Sequence, residues 1–172
     1  METAIVSIIC IMLIIVGGMT LSQGFITSAD TASTALEEAG SKDREILRTE
    51  LSTVSTEVDS TGHYITLVVE NTGQEKLADF SKWDVIVQYF DASSQYITLW
   101  LPYREGTLGD NEWQVSGIYI NESPETFEPG ILNPGEKLHI RVKVNPAVGA
   151  DTTNMIVAST PNGIPVSIYF IH

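Results

Sequence analysis

Three histidines, one cysteine and 22 acidic side chains are the groups of this 172-residue chain best suited to chemistry. His63 falls at a turn, His139 on the polar side of an alternating run, and His172 at the last position. They share no metal-ligand or nucleophile spacing, and no GxSxG, HExxH or phosphate-cradling loop occurs. Carboxylate pairs are abundant, but among so many acids a pair carries little information. Gly109-Asp-Asn-Glu112 and Glu122-Ser-Pro-Glu125 offer oxygen ligands of the kind calcium takes, yet neither has the spaced loop of an EF-hand. They read as polar turns. Cys10 sits inside an apolar run and has no partner for a disulfide or a thiolate zinc site. Trp83, Trp100 and Trp113 each lie in or beside an extended run, which suits core or subunit contact better than a sugar platform. Asn121-Glu-Ser123 is an acceptor sequon for N-linked sugar, with Pro124 directly after it. Serine and threonine are plentiful enough for O-linked sugar as well. No catalytic residue, cofactor or metal site is expected, and the chain does not read as an enzyme.

The elements that carry these groups fall into two parts. From Ala4 to Ile26 no side chain is charged, and only Ser7, Thr20, Ser22 and Gln23 are polar. Such a helix rises about 34 Å, against a hydrocarbon core of about 30 Å. Ile5, Ile8, Ile9, Met12, Ile15, Val16 and Met19 recur at spacings of three and four, while Val6, Cys10, Leu13 and Ile14 make the other side apolar too. A helix greasy all round is buried in lipid or in protein. Gly17, Gly18, Ser22 and Gly24 let backbones approach closely, and Gly18 and Ser22 form a small-xxx-small pair. From Phe25 onward the pattern becomes amphipathic, and Gly40 is the expected stop. Residues before this run include no Lys or Arg; the first is Lys42. A secretory signal or anchor would show basic residues there, so a short basic leader is expected to have been removed just before Met1.

The segment IVSIICIMLIIVGGMTLSQGFITSADTASTALEEA resembles the N-terminal helix of the archaellins, the filament subunits of the archaeal flagellum and members of the type IV pilin superfamily. The phrases VVENTGQEKL, LNPGEKLHIRVKV and STPNGIPVSIYF are similar to phrases in the β domains of archaellins and of archaellum stator proteins. Type IV pilins usually keep a glutamate at mature position five. Here Ile5 stands there and the nearest acid is Glu2, which fits archaellins better than bacterial pilins. The resemblance implies an extracellular helical homopolymer on the cell surface, transient insertion of the precursor in the cytoplasmic membrane before assembly, and rotation by a membrane motor platform and an ATPase.

Past Ile46 the period becomes two. Strands are expected near 46–58, 62–71, 83–90, 95–102, 113–121, 136–144, 153–160 and 164–171, the cleanest being Leu138, Ile140, Val142 and Val144 facing opposite to His139, Arg141 and Lys143. Asn162-Gly163 is a strong hairpin dipeptide. The expected fold is α+β: a hydrophobic helix over 1–42, then an immunoglobulin-like antiparallel sandwich of seven or eight strands over 43–172. A formal charge of −13 argues against nucleic acid and for a solvated surface. The leading reading is a filament subunit that polymerises through Ile5, Ile8, Ile9, Met12, Ile15, Val16, Gly17, Gly18, Met19, Ser22 and Phe25. The alternatives are a membrane-anchored stator or adhesive-pilus protein gripping the envelope or a surface, and a tethered enzyme or sugar-binding sandwich.

Overall fold

The computed structural model describes residues Glu2–His172, with Met1 outside the described residues and the Glu2 side chain likewise. Glu2–Arg48 forms one helix, α1. At 47 residues it is about 70 Å long. Gly40 does not end it, contrary to the sequence expectation. A glycine C-cap needs a left-handed backbone, and Gly40 is absent from the positive-φ glycines. Its neighbours Glu37, Glu38, Ala39, Lys42 and Arg44 are strong helix formers that outweigh a glycine costing about 1 kcal/mol. The first strand therefore starts at Leu51, not residue 46.

Nine strands follow among the described residues: β1 (Leu51–Val58), β2 (Tyr64–Asn71), β3 (Asp84–Phe90), β4 (Tyr96–Leu101), β5 (Glu112–Ile120), β6 (Ser123–Pro124), β7 (Lys137–Lys143), β8 (Thr153–Ser159) and β9 (Pro165–Ile171). A short 3-10 turn, Phe80–Lys82, precedes β3. One sheet runs β1-β2-β7-β5-β6 and the other β4-β3-β8-β9, with every ladder antiparallel. Leaving out the two-residue β6, this is the strand order of an immunoglobulin-like sandwich. The chain divides between Arg44 and Glu45 into two compact units.

The sandwich core follows from alternation. Leu138, Ile140 and Val142 of β7 and Ile65, Leu67 and Val69 of β2 are fully buried, facing Val85, Val87 and Tyr89 of β3. Trp113 is fully buried with its ring 4.9 Å from that of Tyr103 in an edge-on pairing. Tyr89 donates its hydroxyl to the Pro146 carbonyl at 2.9 Å, and burial, helped by Asp91, pushes its phenol up to about 12. Bulges at Thr53/Ser55 and Val115/Gly117 shift register in the strands on either side of the β2–β7 pair.

Candidate assembly interface

The polar groups that could have built a reaction centre are dispersed. His63 and His172 each set Nδ1 against a backbone carbonyl, Val144 and Val148 respectively, at 2.9 Å. The His139 ring lies 4.3 Å from that of Tyr119. Burial, reinforced by Lys137, holds this imidazole below its ordinary value against a weaker opposing pull from Glu57. No cluster of three metal-ligating side chains forms among the described residues.

In the acidic turns Asp110, Glu112 and Glu125 use their carboxylates internally. Asp110 pairs with Lys143 at 2.6 Å and accepts from Asn145 Nδ2; the lysine beside it lowers its carboxyl below the usual range. Glu112 accepts from the Gly109 N–H at 2.7 Å. Glu125 accepts from the Phe127 N–H at 2.5 Å, which lowers its carboxyl.

The tryptophans do not form a platform. Trp83 and Trp113 belong to the core, while Trp100 lies exposed on β4 and donates to Asp84 at 2.8 Å. Asn121 and Glu122 occupy the two-residue turn joining β5 to β6, both at positive φ. That is the backbone of a type I′ hairpin, and it leaves the Asn121 side chain in solvent.

Helix α1 is different in kind. Every residue from Thr3 to Ala39 is exposed in the single subunit except Gly17, which is half-buried. Leu13 and Ile14 are 67% and 73% exposed. The apolar positions Ile5, Ile8, Ile9, Met12, Ile15, Val16, Met19 and Phe25 all stand in solvent. β-Branched residues are mediocre helix formers in water. So many in one helix make sense where the surroundings offer the backbone no other hydrogen-bond partner, as in lipid or a packed bundle.

The helix hydroxyls answer the same demand. Ser7 donates to the Thr3 carbonyl, Thr20 to Gly17, Thr27 to Gln23, Thr31 to Thr27 and Thr34 to Asp30, all at 2.8–3.0 Å. Each of these five hydroxyls is therefore satisfied inside the helix and can enter an apolar interface without a lost hydrogen bond.

A second feature escaped the sequence reading. Gly17, Thr20, Gly24, Thr27, Thr31 and Thr34 alternate three and four apart, the spacing of a coiled-coil seam built from small side chains. A Cβ added at Gly17, Gly18 or Gly24 would meet nothing within 4 Å. The signal was the heptad of Gly and Thr, visible only when small residues are scored alongside large ones.

The three phrases that carried the β-domain resemblance meet where α1 becomes β1. The Gln74 N–H donates to the Arg48 carbonyl at 2.7 Å, and the Thr72 and Gly73 N–H groups both donate to Glu50 at 3.0 Å. Arg48 pairs with Glu75 at 3.1 Å. Asn71, fully buried, donates its amide to the carbonyls of Glu75 and Leu132. The buried Glu136 accepts from the Asn133 N–H at 2.7 Å, and Asn162 donates to Thr49 at 3.1 Å. A side chain at position 73 would strike Arg48 and Glu50 backbone atoms at 2.5 Å, which explains the glycine. These turns satisfy carbonyls at the helix end and fasten it to the sandwich unit to which Glu45–Arg48 belong.

A long apolar helix with internally bonded threonine hydroxyls and a small-residue seam, continuous with a sandwich that has its own core, leaves its apolar surface to be covered by something outside the subunit. The class is that of helical filament subunits. The chain belongs to the archaeal-type flagellin family, whose sequence profile it matches over residues 1–170. An uncharacterized protein of Archaeoglobus fulgidus is 22% identical over 163 residues, 95% of this chain and 91% of its own. The archaeal flagellum of Methanospirillum hungatei strain JF1 shares the fold with a TM-score of 0.61 at 12% identity, over 96% of this chain and 90% of that one. The archaellum periplasmic stator protein FlaG of Sulfolobus acidocaldarius superposes with a TM-score of 0.53 at 19% identity, over 71% of this chain and 99% of that one.

Proposed function

We propose that this chain is the repeating subunit of an archaellum-type filament on the cell surface, polymerised through α1. The observation that carries the reading is the fully exposed apolar helix in a member of the flagellin family. Each fully buried Ile, Leu or Met side chain contributes about 1.5–3 kcal/mol. A dozen of them supply on the order of tens of kcal/mol gross per subunit, before the cost of ordering. A head-to-tail contact whose rotation does not close then extends into an open helix.

The membrane serves as the reservoir. By length and composition α1 can cross a bilayer, and moving it from lipid into a helix bundle exchanges one apolar surrounding for another. Ile5, Ile8, Ile9, Met12, Ile15, Val16, Met19 and Phe25 fill the core, while Gly17, Gly18 and Ser22 set the closeness of approach. The sandwich forms the outer sheath, where sugar on Asn121 would face solvent. The subunit itself is passive; a membrane motor and its ATPase turn the filament for swimming.

The likeness of the sandwich to FlaG supports a second reading, an envelope-gripping anchored protein. Shearing cells, imaging the released material by negative stain and identifying its subunit by mass spectrometry separates the two. Thin filaments made of this chain support the filament; membrane-bound protomers with no filaments would establish the anchored protein.

A further inference from the structure

The outer face of the β4-β3-β8-β9 sheet is unlike the rest of the molecule. In a chain of charge −13, the only charged side chain among its outward strand positions is Asp84, whose Oδ1 is taken by Trp100. At one end of this face the ladders set Gln88 opposite Met155 and Met155 opposite Tyr169. There Gln88, Tyr96, Thr153, Asn154, Met155 and Tyr169 line an uncharged hollow of about 200 Å³. Tyr96 and Tyr169 stand 58% and 72% exposed at its sides, and the Tyr96 hydroxyl is fixed on Gln88 at 2.8 Å. A cavity of roughly 150 Å³ holds a benzene molecule, so a phenyl ring fits. Methionine and tyrosine walls favour an aromatic guest.

The same domain carries such a ring with nothing around it. Phe127 is 93% exposed. Its loop is not slack: Glu125 Oε1 accepts from the N–H groups of Phe127 and Glu128, and Glu128 pairs with Lys76 at 3.0 Å. Phe127 lies in the connection between β6 and β7, at the end of the sandwich where β2 finishes and β3 starts. The hollow lies at the opposite end, where β3 finishes and β4 and β8 start. Knob and hollow therefore cannot meet within one subunit.

We propose that Phe127 of each sandwich inserts into the Tyr96–Met155–Tyr169 hollow of a second copy of this chain, making a head-to-tail contact between outer domains. This rests on the filament reading, which supplies identical neighbours. Acidic domains crowded around a common core repel one another, and an uncharged face is where they can touch at least cost. Knob and hollow on opposite ends make the contact heterologous, so it propagates along a filament instead of closing a pair.

The test is disulfide trapping in filaments of the full chain, in a Cys10→Ala background. Filaments of the F127C/Y169C double variant, oxidised and then dissolved in denaturant, should give a ladder of covalent dimers, trimers and longer species. Each single variant should give none beyond a dimer. Both side chains are exposed in the single subunit, so a variant that folds but fails to assemble also counts for the contact. Double-variant filaments that dissolve to monomers overturn it. Absence of filaments from the Cys10→Ala parent and the unmodified chain alike would instead overturn the filament reading.

Discussion

Ile14 and Ile140 are the same residue type in opposite circumstances. Ile140 is fully buried and Ile14 is 73% exposed. The sandwich places its apolar side chains against one another, and β2, β3 and β7 complete a core from within one chain. Helix α1 carries a comparable apolar load and none of it is buried inside the subunit. Hydropathy reports how much surface needs covering; topology decides whether the chain can cover it alone. The sandwich completes its own core, whereas the helix leaves its apolar surface for something outside the subunit to cover; in the proposed filament that is another copy.

If that contrast holds, the two regions break separately. The largest effect is expected for Ile9→Asp or Gly18→Trp, which put a charge or a bulky ring into the helix packing. Either should abolish filaments in electron micrographs, while the near-ultraviolet dichroism and melting of the sandwich stay unchanged. The reverse case is Trp113→Ala, which empties the core and should lower sandwich stability by about 3–5 kcal/mol in denaturant melts.

Gly73→Ala probes the turn that packs on the last helical residues within the sandwich unit. Its Cβ would meet the Arg48 carbonyl oxygen and the Glu50 nitrogen at 2.5 Å. Backbone cannot swing aside as a flexible side chain can, so a loss of about 1–3 kcal/mol is expected, read as a fall in melting temperature.

The smallest effect concerns His139, whose imidazole burial holds below the ordinary value of 6.5. Its contribution is complete above pH 6.5 and declines as pH falls through the folded value, because the unfolded chain then binds the proton more readily. Replacing it with glutamine should flatten the fall in melting temperature between pH 7 and 5.

Much of the sandwich was legible. The alternation of Leu138, Ile140 and Val142 announced β7, and Asn162-Gly163 announced the turn between β8 and β9, with Gly163 at φ +85°. The helix was legible in kind but not in length, because Gly40 carries the signal of a cap while its neighbours carry the stronger propensity of a continuing helix. β6 was hidden because a proline two residues past a turn does not look like a strand; the hairpin at Asn121 and Glu122 imposes it. The role of Asn71, Gly73 and Asn162 was also out of reach. Their partners, Leu132, Glu50 and Thr49, are distant in sequence, and only the folded chain brings them to one place. Phe127 looked like any loop aromatic, since exposure of a single ring leaves no periodicity to read.

In the proposed filament α1 ends among copies of itself. Electron cryomicroscopy of filaments sheared from cells tests it most directly. The expected map has a central bundle of helices traceable as residues 4–39, every apolar side chain of each helix covered by its neighbours, with the sandwiches outside. A map with those helices facing solvent or enclosed in lipid would contradict it.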